Sequence, residues 1–150
     1  MGQLSIKLDI KSDSNSFKFF DSAENIAANT HFGIEKAFWQ SGKDITAEFS
    51  KQVLAKNKTG RLYVIRGRKH RASAPLETPA NLTGNYRKSV GFKVNQGTTP
   101  QLTIGNSAEY AGFLELGTSR MIKRRGLRNA IRASERDIIR NLSTDIFEAI

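Results

Sequence analysis

Residues 71–90 read RASAPLETPANLTGNYRKSV and residues 107–119 read SAEYAGFLELGTS, and these two stretches decide how the chain folds. Pro75 and Pro79 lack backbone N–H groups and push Ala74 and Thr78 toward extended conformations, which forbids a helix or a central strand over 72–80. Thr83-Gly84 then opens a short helical turn, because Tyr86, Ser89 and Val90 recur at i, i+3 and i+4. In the second stretch Ser107 is placed to cap a short helix over 107–116, with Tyr110, Phe113 and Leu114 on one face. Gly117 is placed to end it in a left-handed cap.

Working outward, residues 90–95 (VGFKVN) and 101–105 (QLTIG) read as two strands joined as a hairpin through Gly97 and Pro100. Upstream, a turn at 56–60 (KNKTG) leads into a short strand at 61–66 (RLYVIR). Residues 3–11 alternate strictly, with Leu4, Ile6, Leu8 and Ile10 on one face, the pattern of a half-buried strand. A turn follows at 12–16. From Phe17 to Lys56 the chain reads as helix in two pieces, bent near Ser41-Gly42. Ile34, Phe38, Ile45, Phe49 and Val53 make its core-facing stripe, and Trp39 beside them is expected as a core anchor, with an exposed partner contact as the alternative. A last helix runs from Leu127 to the end. These elements predict one domain over 1–150 of the α+β class: a small, mainly antiparallel sheet packed against long N-terminal helices and a C-terminal helix. Residues 67–82 and 117–126 are the expected flexible stretches.

Composition narrows the function. The chain of 150 residues carries 24 Lys and Arg against 14 Asp and Glu, a net charge of +10. Such a surface attracts polyanions, whether nucleic acid, an acidic protein face or anionic lipid. The absence of cysteine excludes disulfides, thiolate zinc sites and a cysteine nucleophile. No run approaches the roughly 18 apolar residues of a membrane span, so no membrane partner is expected. The two histidines, His31 and His70, have no partner at metal-ligand spacing, and no phosphate-cradling glycine loop is present. No enzyme, cofactor, metal or catalytic residue is expected.

Three features remain as candidates for contact with a partner or DNA. Arg66, Arg68, Lys69 and Arg71 open the proline-containing loop at 67–82, with Arg61 just before it and no acid until Glu77. The loop has no interleaved aromatics, so it suits phosphates or carboxylates rather than base stacking. It is expected to order only on assembly. Arg128, Arg132, Arg136 and Arg140 form a row at i+4 spacing on the last helix, with Arg124 upstream and Phe147 projecting near the end. Guanidinium groups suit bidentate pairing with carboxylate or phosphate, and a solvated helix face would look the same. Glu115 stands at the C-terminal end of a short helix, where the macrodipole disfavours negative charge. It therefore calls for an arginine or for loop N–H groups, and its economical role is to fix the loop that follows.

The motifs ASAPLETP, LTGNYRKSV and AEYAGFLELGTS, in that order and followed by a basic loop and a C-terminal helix, resemble the neck, tail-completion or head–tail joining proteins of long-tailed bacteriophages. The resemblance covers roughly residues 20–150. Leu76 stands where that family would have glycine, and Arg125-Gly126-Leu127 where it often has Arg-Pro-Phe. The resemblance places Glu115 in the family's signature motif. It implies a structural virion protein at the head–tail junction, assembled in the host cytoplasm. This protein would form a ring with itself, six copies by analogy with tail symmetry, around a DNA passage. Its neighbours would be the tail terminator or tail tube and the head-closure or connector proteins, with non-specific DNA contact incidental. The alternative is a stand-alone basic nucleic-acid-binding domain.

Overall fold

The computed structural model describes residues 4–9, 23–97 and 100–148, with side chains over 30–97 and 100–145. Its spine is α1, Ala23–Leu54, one unbroken helix rather than two pieces. The helix runs through Gly42 without interruption, and that glycine has another task. A Cβ there would lie 2.4 Å from the ring of Phe92, so its bare backbone lets the sheet press against the helix. Trp39 is not a core anchor either. It stands about 100° round the helix from Phe38, 49% exposed, with its ring edge-on to Phe92 at 5.2 Å.

The main sheet has the order β1-β5-β4, all antiparallel: β1 is Leu4–Asp9, β4 Val90–Asn95 and β5 Gln101–Asn106. Phe92 pairs with Ile104 and Val94 with Leu102, so one face presents Val90, Phe92, Val94, Leu102 and Ile104. That face lies on α1, whose Phe38, Ile45, Phe49 and Val53 are all buried as their spacing predicts. Removing each such side chain from water stabilises the fold by roughly 1.5–3 kcal/mol. Lys93 and Thr103 point to the other, polar face. The expectations for Ile10, Lys11, the turn at 12–16 and the helix start at 17–22 lie outside the described residues, as does the middle of the β4–β5 connection.

Between these elements lie β2 (Leu62–Ile65), β3 (Arg68–Arg71) and α2 (Asn85–Lys88), and after β5 comes α3 (Ala111–Leu116). The expected cap of α3 is absent. Ser107 donates its hydroxyl to Ser89 O at 3.2 Å, and the turn is set instead by buried Asn106. Asn106 accepts from the Ala108 N–H at 3.0 Å and donates to Tyr86 O at 2.7 Å. Gly117 ends α3 at φ 82°, ψ 179°. The positive φ favours glycine, but the extended ψ is not a left-handed cap.

The C-terminal helix is two helices, α4 (Leu127–Ala133) and α5 (Glu135–Glu148), interrupted at buried Ser134. Both pack on α1. Leu127, Ala130 and Ile138 are buried, and Ile131 and Leu142 pack against the core. The side chains of Ile146 and Phe147 lie outside the described residues.

Candidate functional site

The basic stretch is not a loop. Residues β2 and β3 pair as an antiparallel hairpin, Leu62 with Arg71 through Ile65 with Arg68. The two-residue turn Arg66-Gly67 has φ of 50° and 75°, positive at both positions as a type I′ turn requires. By alternation, Tyr63, Ile65, Arg68 and His70 share one face, and Leu62, Val64, Lys69 and Arg71 the other. Neither face is covered: Val64 is 69% exposed, and Leu62, Tyr63 and Ile65 are exposed too. The Arg61 guanidinium lies 5.6 Å from the centre of the Tyr63 ring. Two strands alone are marginal in water, so the hairpin's stability comes from its root.

That root is firmly bonded, contrary to the expected disorder over 72–82. The ladder continues through Gly60 N–H to Ala72 O at 3.0 Å and Ala72 N–H to Arg61 O at 2.9 Å. Glu77 accepts from the N–H groups of Ala74 (2.8 Å) and Thr59 (3.2 Å) and from the Thr59 hydroxyl. Those bonds hold its carboxyl below the usual range. Ala74 to Glu77 form a turn with proline second and Leu76 third, closed by Glu77 N–H to Ala74 O at 3.2 Å. Leu76 has φ 70°, the conformation a glycine would take up without strain. The turn is docked: Leu76 N–H reaches Lys123 O at 2.8 Å, and Arg124 Nε donates to Ser73 O at 3.1 Å. Arg124 is thus a brace for this segment rather than the start of an arginine row.

Glu115 faces inward and is 7% exposed. Its carboxylate accepts from the Leu127 backbone N–H in the first turn of α4, and the neighbouring Gly126 and Arg128 N–H groups also favour its charged form. The Tyr86 hydroxyl donates to it at 3.4 Å. A charge disfavoured at the end of α3 is thereby placed at the positive end of the next helix, satisfying N–H groups that have no partner within α4. Burial pushes its carboxyl above the usual range, outweighing the donors, and the Tyr86 hydroxyl is pushed up by burial and by the Glu115 charge. The carboxylate is met by backbone N–H at the start of α4 and by the Tyr86 hydroxyl, and no arginine side chain bonds it among the described residues.

Arg128, Arg132, Arg136 and Arg140 are all exposed, two on each side of the Ser134 interruption. Arg140 pairs with Asp137 at 2.7 Å, an exposed contact worth about 0–1 kcal/mol. His31 is a bonded helix residue, 2.8 Å from Gly97 O and 3.3 Å from Glu35. His70 lies opposite Tyr63 on the hairpin. Among the described residues no group of three or more His, Asp or Glu is placed to hold a metal ion, and no helix is long and apolar enough to cross a membrane.

Sequence reasoning missed the hairpin, although Arg66-Gly67 between RLYVI and RKHR is a two-residue turn signal. It also missed the exposed apolar residues of α3 and the following loop, Phe113, Leu116 and Ile122. Nothing in their spacing separates them from core.

Comparison with known proteins supplies the context for these surfaces. Residues 40–117, just over half of the chain, match the family described as "Bacteriophage HK97-gp10, putative tail-component". The match runs from the middle of α1 through the hairpin, the docked turn, β4, β5 and Glu115, and stops before the arginine row. No curated protein and no solved structure matches the chain. A tail component is a part of the virion. The chain belongs to the HK97-gp10-like family of bacteriophage tail components.

Proposed function

We propose that this chain is a head–tail joining protein, a neck or tail-completion component. It forms a homo-oligomeric ring that completes the tail end and binds head-closure proteins around a DNA passage. Its role is structural rather than enzymatic. The observation that carries this reading is the β2–β3 hairpin. A rooted arm that shows Leu62, Val64 and Ile65 to water beside Arg66, Arg68, Lys69 and Arg71 has surface to bury against another protein. A surface meant only for DNA phosphates has no use for the aliphatic side chains. Six copies follow from tail symmetry, and successive subunits in such a ring use heterologous contacts that close.

The test mixes DNA-filled heads with tails made without this protein. Adding the purified chain should restore joined particles, with ring density at the tail end in electron micrographs. The hairpin variant Val64→Asp with Lys69→Glu should fold and fail to join. The rival, a stand-alone nucleic-acid-binding domain, draws on the exposed arginine row. It predicts no joining and sub-micromolar duplex binding, with a log–log salt slope near one unit for each phosphate contacted. Arg132→Glu with Arg136→Glu would abolish that binding.

A further inference from the structure

An open cleft of about 530 Å³ runs beside the hairpin. One wall is the hairpin face carrying Tyr63 and His70, and the opposite wall carries Leu82, Tyr110 and Leu114. Tyr63, Leu82 and Tyr110 are all substantially exposed, and Tyr110 lies stacked on buried Tyr86 at 6.1 Å. The walls are rigid for different reasons. Arg124 bonds Ser73 beneath the hairpin root, and Tyr86 is held by Glu115 and Phe49 behind the far wall. Asn81 lines the cleft, and its Oδ1 is buried with no hydrogen-bond partner among the described residues.

The charge around the cleft chooses the occupant. Arg68 shares the hairpin face with Tyr63 and His70, Arg124 lies on the lining, and Arg66 stands at the tip. Among the described residues no carboxylate lines the cleft, and Glu77 near the root is engaged by Thr59 and Ala74. A second copy, with net charge +10, brings the wrong sign. Duplex DNA could use the arginines through its phosphates but would leave the aromatic and aliphatic walls uncovered. We infer that this cleft holds an extended, acidic segment of a partner protein, whose apolar side chains at alternate positions enter between Tyr63 and Tyr110. Alternation fits because successive side chains of an extended chain point to opposite sides. One set fills the cleft and the other meets the arginines. The inference rests on the assembly reading above only in expecting a protein as occupant.

The test uses the full chain and labelled peptides of about twelve residues, long enough to cross the cleft when extended. In three probes glutamate alternates with leucine, phenylalanine or tyrosine. The controls are the same peptides with serine for glutamate, a polyglutamate of equal length, and a short DNA duplex. At least one alternating probe should bind in fluorescence anisotropy and shift the backbone resonances of Tyr63, Leu82 and Tyr110. Leu82→Glu, a change at an exposed wall, should weaken it by about tenfold or more. Arg68→Glu should weaken it comparably, and neither serine peptides nor polyglutamate should match it. Failure of all three probes overturns the inference, as does polyglutamate binding equally well or a probe indifferent to Leu82→Glu. DNA displacing the probe from the same residues also overturns it. Joining assays separate this outcome from the assembly reading: if probes fail while Leu82→Glu still joins heads to tails, the cleft assignment falls alone.

Discussion

Two parts of this molecule use a carboxylate to organise backbone N–H groups, and they do so in opposite surroundings. At the hairpin root, Glu77 gathers Ala74 and Thr59 in a solvent-facing turn, and its carboxyl is held below the usual range by those bonds. In the body, Glu115 accepts from the Leu127 N–H at the start of α4, behind Tyr86, and burial drives its carboxyl up despite the donors. The same chemistry thus fixes a projecting arm in one place and a helix junction in the other. What differs is water, and with it the energy at stake. The body is where the fold is held, and the hairpin is where surface is left available.

The sharpest way to break that contrast is truncation on either side of it. Phe49 is fully buried and touches Tyr86 at 5.2 Å, so Phe49→Ala should cost about 3–5 kcal/mol in urea unfolding. Val64 has nothing packed over it, so Val64→Ala should stay within about 0.5 kcal/mol of wild type. A large loss at Val64 would mean that the hairpin is part of the core rather than a free arm.

Next in size is the junction behind Tyr86. A Cβ on Gly126 would lie 2.4 Å from the Tyr86 hydroxyl and 3.1 Å from the Phe49 ring. Gly126→Ala should therefore destabilise by about 1–3 kcal/mol through overpacking, read by the same unfolding assay. A neutral result would show that Tyr86 can move away, which its bond to Glu115 argues against.

These predictions mark how far the sequence could be read. Periodicity revealed α1, β4, β5 and the apolar stripe of the last helices, because burial of one face leaves a regular spacing. The prolines revealed that 72–80 is irregular. They could not reveal that the segment is pinned, since Lys123, Arg124 and Asn129 reach it from more than forty positions away. Trp39 illustrates the limit on core assignment: one step round a helix from Phe38 is the difference between buried and half exposed. The glycines at 42 and 126 read as helix breakers or loop residues, yet each marks a close approach of an aromatic ring. Glu115 was legible as misplaced, but its partners belong to a helix not yet packed when only the sequence is in view.

The two carboxylates also give opposite pH dependences, a smaller effect that sharpens the same contrast. Glu115 binds its proton more readily in the folded chain than in the unfolded one. Its contribution therefore raises stability as pH falls from neutral toward the ordinary carboxylate range, near 4.3. Glu77 binds its proton less readily when folded. Its contribution is present above that range and lost as pH falls through its lowered value. Melting curves across pH 3–7 should show Glu115→Gln removing the first trend and Glu77→Gln the second. Glu115→Gln should also cost about 1–3 kcal/mol near neutral pH, because an amide cannot accept from all of its donors. If both variants shift in the same direction with pH, burial does not separate the two sites.

The smallest effect concerns Leu76, whose φ of 70° is unusual for a residue other than glycine. A left-handed conformation costs such a residue roughly 1–2 kcal/mol. Glycine would relieve that strain, but it would also widen the unfolded ensemble at a cost of about 0.5–1 kcal/mol. The Leu76 side chain is exposed and contributes little packing to offset the difference. Leu76→Gly should therefore stabilise the chain by about 0–1 kcal/mol, a rise of a few degrees in Tm at most. Its N–H bond to Lys123 O and its carbonyl, which accepts from the Asn129 side-chain amide, involve only the backbone of residue 76 and survive the change. A clear loss of stability would instead show that the leucine packs on a neighbour in solution. A loss of head–tail joining without a loss of stability would place that neighbour in the assembled particle.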